Sequence, residues 1–378
     1  MEDWNQAGQA PVPEPVIGPP PGSLTGLPPE PVVAPPPEPL APSIRRGLLI
    51  WLIVLMSLGV GAALAGIEEM AVLIAFAGIF IAAQAADMDR RWFATYVVFG
   101  AVIPLGGAAA FLLLANDIMT SDASRALRVA GTAFAIGSAL VSVLTLDPRV
   151  ARSLTRVMFR TDADSHSLRL AARVVLLGLL LVFPAALIAP QLLEPILDRP
   201  GGLFESGPLG GELIGYVLLA FASVGFLVRR DLPQTLVRLG LTAPRLRDLG
   251  LIAAGAGALF AINTGAEALQ HGLFRASWEH DRHINEQLVR GVTTPLAVLI
   301  GITAGVGEEI TLRGALQPRL GIVLTSLLFA ALHVQYSWFG MLTIFAIGLV
   351  LGVLRARANT TVAIAVHGIY DMIAVFTT

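Results

Sequence analysis

An all-α, polytopic bundle of about eleven transmembrane helices is the fold class this sequence predicts, and three observations predict it. The chain is 55% hydrophobic and 14% charged with a mean hydropathy of +0.74, more apolar surface than 378 residues can hide in a water-soluble fold. Beyond Arg46 the apolar residues come in runs near the length that crosses a bilayer, separated by short polar links. Arginine, which supplies every basic residue, falls mainly in alternate links. The same composition excludes some classes. The net charge is −2, and no basic patch interleaved with aromatics suggests a nucleic acid partner. Without cysteine there is no disulfide, thiolate nucleophile or cysteine metal site.

Residues 1–44 open the chain as a proline-rich tail. Fourteen of the 25 prolines lie there, in runs such as Pro19-Pro20-Pro21 and Pro35-Pro36-Pro37. Such a segment cannot bury a core, so a disordered, partly polyproline-II tail is expected on the cytoplasmic side. It has no apolar stretch bounded by a cleavage site, and so does not read as a signal peptide.

The apolar runs follow at 47–66, 70–86, 93–115, 126–146, 170–189, 211–228, 249–269, 292–314, 321–337, 339–355 and 359–377. Several are shorter than the roughly 20 residues that span the hydrocarbon as a helix, so the count carries a margin of about two. With a cytoplasmic tail, the inner links carry Arg45 and Arg46, Arg90 and Arg91, Arg149 to Arg169, Arg229 to Arg247, Arg319, and Arg355 with Arg357. The outer links hold far fewer. The alternation follows the positive-inside rule and predicts a multi-pass protein of a plasma (inner) membrane.

Ionisable residues inside the runs cluster after position 300, which divides the chain. Residues 45–230 are expected to form an accessory transmembrane bundle, 231–248 an arginine-rich cytoplasmic linker, and 249–378 the part that carries chemistry. His271, His280 and His283 in the link at 270–291, and His166, have no ionisable company within a span and are expected to be solvated.

Three sequence patterns place polar groups in the last four runs. Glu308 and Glu309 end an apolar stretch, with Arg313 one helical turn after Glu309, so Glu309 and Arg313 share a face and can pair. Glu308 is rotated by about 100° along the helix and is left as the free carboxylate. Pro318 is expected to end this helix near Gln317, which puts Arg313 in its last turn. His333 follows Phe329 by four residues, and His367 precedes Asp371 by four, again on one face. His333 reaches a common depth with the others only if its helix tilts or starts early. A carboxylate in a low-dielectric cavity can take a proton from water, and imidazole N–H groups can stabilise an oxyanion, so the set suits hydrolysis without a covalent nucleophile.

Glu308 to Arg313 match the EExxxR motif, Phe329 to His333 the FxxxH motif and His367 to Asp371 the HxxxN/D motif of the CAAX-protease and bacteriocin-processing family, the intramembrane glutamic endopeptidases. The order and spacing of the motifs over residues 245–378 resemble the CAAX prenyl protease 2 (Ras-converting enzyme) type. The resemblance implies a protease domain at 249–378 in which Glu308 and His333 activate water. It implies His367 and Asp371 at the oxyanion, Glu309 and Arg313 in support, and no cofactor. The implied partners are the lipid bilayer and a membrane-associated peptide or protein substrate. Asp371 stands where the prenyl-protease branch has Asn, and an anionic carboxylate cannot donate a hydrogen bond, so Asp371 is expected to orient His367. Two other classes remain: a non-catalytic membrane immunity or scaffold protein of the same fold, and a metal-dependent hydrolase or transporter in which Glu308, His333 and His367 hold an ion. The chain has no HExxH.

Overall fold

Residues 42–197 and 204–377 are described by a computed structural model. The expected disordered tail falls outside them, apart from Pro42 to Ile44, which already belong to the first helix. In chain order the helices are α1 (Pro42–Ala65), α2 (Glu68–Met88), α3 (Phe93–Thr120), α4 (Arg125–Leu144), α5 (Pro148–Phe159), α6 (His166–Leu197), α7 (Ser206–Ser223) and α8 (Leu232–Leu239). They continue with α9 (Leu246–Leu273), α10 (Arg275–Val289), α11 (Thr294–Ile302), α12 (Gln317–Leu320), α13 (Ile322–Ala331), α14 (Trp338–Arg357) and α15 (Thr360–Thr377). Wide π-type turns at Thr303–Glu308 and Ile310–Leu316 join α11 to α12, so Thr294–Leu320 is one long helical rod.

The protein is an all-α, multi-pass membrane protein. Nine helical stretches among the described residues are long and apolar enough to cross a membrane, and two shorter apolar ones, Gly207–Ser223 and Ile322–Ala331, complete the eleven runs. Their outward faces keep large apolar side chains such as Leu64, Val98 and Leu113 exposed, as lipid contact requires. Inside the bundle, α2 is lined with buried alanines and isoleucines and packs against α1, α3, α6 and α7. Small side chains let helices approach closely where lipid offers no hydrophobic drive for association.

Three links, at α5, α8 and α10, form helices instead of plain connections. Asp147 caps α5 by accepting from Arg149 N at 2.6 Å, and Pro148 suits a first turn that needs no donor. A capping box between Asp231 and Gln234 starts α8, and Gly240 at φ 71° ends it in the left-handed conformation that glycine adopts freely. The stretch expected as a plain linker therefore contains a docked helix. Just past it, the carbonyls of Leu239 and Gly240 accept from Thr360 Oγ1 at 2.6 Å and Thr360 N at 3.0 Å, pinning the start of α15. Asn359 Oδ1 accepts from Val362 N at 2.9 Å and caps the same helix.

Candidate active site

Close backbone contact brings the first and third motifs together. Gly301 and Gly305, one turn apart, face Gly368 on α15, and a Cβ on Gly305 would sit 2.8 Å from Gly368 N. Only glycine permits this approach. One turn beyond Gly305, Glu309 reaches α15, where its Oε1 lies 3.2 Å from His367 Nδ1. Its Oε2 lies 3.4 Å from Arg313 Nε. Glu309 and Arg313 are both fully buried, and Arg313 Nη2 also donates to Gly348 O at 3.3 Å. The brace expected from the i, i+4 spacing is therefore present, and it holds a third member, His367.

His367 lies between two carboxylates. Its Nε2 is 3.4 Å from Asp371 Oδ2, on the far side of the ring from Glu309. Donating to both requires both ring nitrogens to carry protons. The Asp371 contact is the longer and Asp371 is the more exposed partner, so it is the one that an incoming acceptor can replace.

Phe329 joins the second motif to this cluster. Its ring meets His333 edge-on at 5.0 Å and His367 at 5.7 Å, while the Arg313 guanidinium stands 5.0 Å over it. Helix α13 stops at Ala331, so His333 leaves the helix and occupies the turn after it, with Nδ1 2.8 Å from Phe329 O. That early end answers the problem of depth: the histidine reaches the cluster from a turn and not from a full-length span. No hydrogen bond joins Glu308 to His333. Glu308 keeps one carboxylate oxygen buried without a partner, beside the charges of His367, Glu309 and Arg313.

Pro318 does not end the rod near Gln317, contrary to the expectation. It lies in the first turn of α12, where its missing N–H is no loss, and the helix runs on to Leu320 before Gly321 turns the chain at φ 84°. The wide turns upstream shift the register yet leave residues four apart on one side.

Sequence reasoning missed the walls of the site. Tyr216 on α7 packs against Gly307, where an added Cβ would lie 2.6 Å from its ring, and Tyr216 O accepts from Thr311 Oγ1 at 3.4 Å. Glu212, one turn earlier, is close enough for its charge to act on Glu308. A carboxylate in the apolar run 211–228 was the available signal. The link at 270–291 leaves His271 and His283 exposed, as expected, but half-buries His280. Its helix α10 clamps the turn that carries His333: His280 Nε2 is 2.9 Å from Gln335 O, and Asn285 Oδ1 accepts from Tyr336 OH at 2.8 Å. Asp281 accepts from Ser337 N at 2.6 Å, Ser337 Oγ at 2.7 Å and Gln270 Nε2 at 2.6 Å. His271 bonds Arg275 and edges Trp278. His166, expected to be solvated, is half-buried instead, with its Nδ1 2.9 Å from Asp87 Oδ1. Among the described residues, no group of three His, Asp or Glu side chains is gathered to hold a metal ion.

Residues 290–373, which contain all three motifs, match the family model described as "Type II CAAX prenyl endopeptidase Rce1-like". Among curated proteins, the chain is 30% identical over 96 residues to "Uncharacterized protein YpbD" of Bacillus subtilis (strain 168), covering 25% of this chain and 51% of that protein. The chain thus spans about half the length of that relative. No solved structure matches. The resemblance drawn from the three motifs is thereby supported over the segment that holds them, and at family level it is a resemblance to a membrane protease.

Proposed function

We propose that this protein is a membrane-embedded endopeptidase that hydrolyses a membrane-associated peptide or protein, with Glu308 and His333 activating the water. The Rce1-like match over residues 290–373 is the premise, and one observation carries the chemistry: Glu308 retains an unpartnered, buried carboxylate oxygen beside a brace in which Glu309, Arg313 and His367 are already engaged. Buried polar groups are normally satisfied, so a spare acceptor next to fixed charge is a place for water.

In the proposed cycle Glu308 takes a proton from water, and the resulting hydroxide attacks the carbonyl carbon of the scissile bond. The carbonyl oxygen becomes an oxyanion. His367 Nε2–H turns from Asp371 to that oxyanion while Nδ1–H stays on Glu309, so the ring need not move. Collapse breaks the C–N bond, and the proton held by Glu308 passes to the leaving amine. Glu309 and Arg313 hold the ring in place, and Asp371 sets its orientation until substrate arrives.

Residues 249–378 serve as the catalytic part, 45–230 as the accessory bundle and 231–248 as the cytoplasmic link in this proposal. The excess of arginine at one end of the bundle supports a cytoplasmic N-terminus and a site that opens toward the inner face. Purified protein in nanodiscs, offered a library of membrane-anchored peptides with and without chelator, tests the function. Chelator-insensitive cleavage is the expected result; a wild type that binds peptides without cleaving any would favour the immunity or scaffold class. Recovery of a chelated enzyme by zinc alone would favour the metal class.

A further inference from the structure

A cavity of about 200 Å³ lies at the arginine-rich end of the bundle and does not include Glu308, His333 or His367. It opens where α2 and α7 end, α6 begins and α12 closes the long rod. Arg229, Arg230, Arg238 and Arg319 all line it. Among the described residues the one carboxylate paired with these four cations is the buried Asp87, which lies behind the lining and meets Arg229 at 3.3 Å. Asp87 is otherwise occupied by His166, Ser165 and Ser167. Arg230 donates to Val224 O, and Arg238 holds the carbonyls of Gly314 and Ala315 at 3.0 Å each. These are neutral acceptors and leave the charge uncompensated. No partner is found for the Arg319 guanidinium among the described residues. Burial, and then the charges of Arg230, Arg319 and Arg355, pull the Arg238 guanidinium down to about 10. Arg230, Arg238 and Arg319 thus crowd one another with no carboxylate paired to them among the described residues, and Asp87 answers Arg229 alone.

A different observation adds to the charge. Gln84 is only 3% exposed, and its Nε2 donates to Ser223 O at 2.6 Å, which leaves the buried Oε1 on the cavity wall without any donor. A ligand for this cavity therefore needs anionic oxygens for the guanidiniums and a hydroxyl for Gln84. Phe80, Phe159 and Leu316 provide apolar walls beside the charges. Guanidinium groups recognise phosphate oxygens through paired hydrogen bonds, and basic pockets between membrane helices suit lipid headgroups.

We propose that this cavity binds a hydroxyl-bearing phosphate, with Arg229, Arg230, Arg238 and Arg319 on the phosphate oxygens and Gln84 on the hydroxyl. The phosphate can come from an anionic phospholipid headgroup or from a free phosphate, and the two sources are separable. Full-length protein in neutral detergent is titrated with inorganic phosphate against chloride at equal ionic strength while thermal unfolding is followed. In parallel, protein in nanodiscs of phosphatidylcholine with or without phosphatidylglycerol is examined for retained lipid by native mass spectrometry. A ligand that binds only the folded state raises the melting temperature in a saturable way.

Saturable stabilisation by phosphate alone identifies a free phosphate, and selective retention of phosphatidylglycerol identifies the headgroup; either supports the site. Arg319→Gln, which breaks no hydrogen bond or ion pair among the described residues, is expected to weaken the effect about tenfold or more, whereas Arg357→Gln, exposed at the same end but outside the cavity, leaves it unchanged. Equal losses in both variants would reduce the effect to general charge and overturn the proposal. So would a wild type that shows neither saturable stabilisation nor lipid preference, a result that requires no variant to fold.

Discussion

Two histidine–carboxylate clusters are built into this bundle, and they are finished differently. At the end of α2, Asp87 accepts from His166 N, Ser165 Oγ, Ser167 N and Ser167 Oγ, faces His166 Nδ1 at 2.9 Å and pairs with Arg229. Every acceptor position of the carboxylate is in use, and the aromatic rings of Phe93 and Tyr96 edge the imidazole. In the motif cluster, Glu308 Oε2 and Arg313 Nη1 lack a hydrogen bond, and Glu309 Oε2 meets Arg313 Nε only as an ion pair at 3.4 Å. A satisfied network locks neighbouring helices, while a half-satisfied one holds unspent interaction for water or substrate. Both clusters set a histidine and an arginine against carboxylates, and the contrast lies in how many partners each carboxylate has, since only Asp87 is completed by serine hydroxyls.

The largest effect that sharpens the contrast is expected at His333. Its imidazole reaches the cluster from a turn fixed by Phe329 O and by α10, so His333→Gln should lower kcat/KM by about 10²–10⁴ with the melting temperature nearly unchanged. A loss of fold equal to the loss of rate would make His333 a structural residue like His166.

Arg313→Ala comes next, and it should act on stability. The substitution removes one of the two cations on Glu309 and leaves it to share His367 with Asp371, so the buried carboxylates outnumber their cations at a cost of about 3–5 kcal/mol, read as a fall in the denaturation midpoint. Unchanged stability would mean that the brace carries no charge to balance.

At Asp371 the two replacements should differ. Asp371→Ala should reduce turnover by about tenfold to a hundredfold, and Asp371→Asn should recover most of it, because the amide can both meet His367 and donate to an oxyanion. Equal activity in the two variants would remove Asp371 from the cycle.

Smallest in rate, Asp87→Asn should leave turnover unchanged and lower stability by about 1–3 kcal/mol through its lost hydrogen bonds. A fall in turnover without a fall in stability would erase the distinction between the clusters.

Much of this was legible in the chain because membranes restrict the alternatives. Backbone groups in lipid must be satisfied within a helix, so apolar runs translate into helices, and each of the eleven expected runs holds one, though those at 211–228 and 321–337 end early. Side-chain pairs four residues apart, such as Glu309 with Arg313 and His367 with Asp371, were equally readable. Contacts across the fold were not. Nothing local in the sequence says that Gly305 meets Gly368, that Glu309 therefore reaches His367, or that Tyr216 of a distant helix covers Gly307. The early end of α13 was hidden for another reason: Leu332 and Val334 continue the apolar pattern past the last helical turn. His280 of α10 looked solvated because an amphipathic helix and a polar link have similar composition; only its contact with Gln335 O distinguishes it from the exposed His271 and His283.

The most direct test of the central claim, that the unpartnered carboxylate does the chemistry, is the cleavage rate of Glu308→Gln beside wild type, in nanodiscs and in the presence of chelator. The amide keeps the shape of the side chain and cannot take a proton from water. The account predicts a folded variant with the wild-type melting temperature, intact peptide binding and no detectable cleavage; a variant that cleaves at the wild-type rate would contradict it.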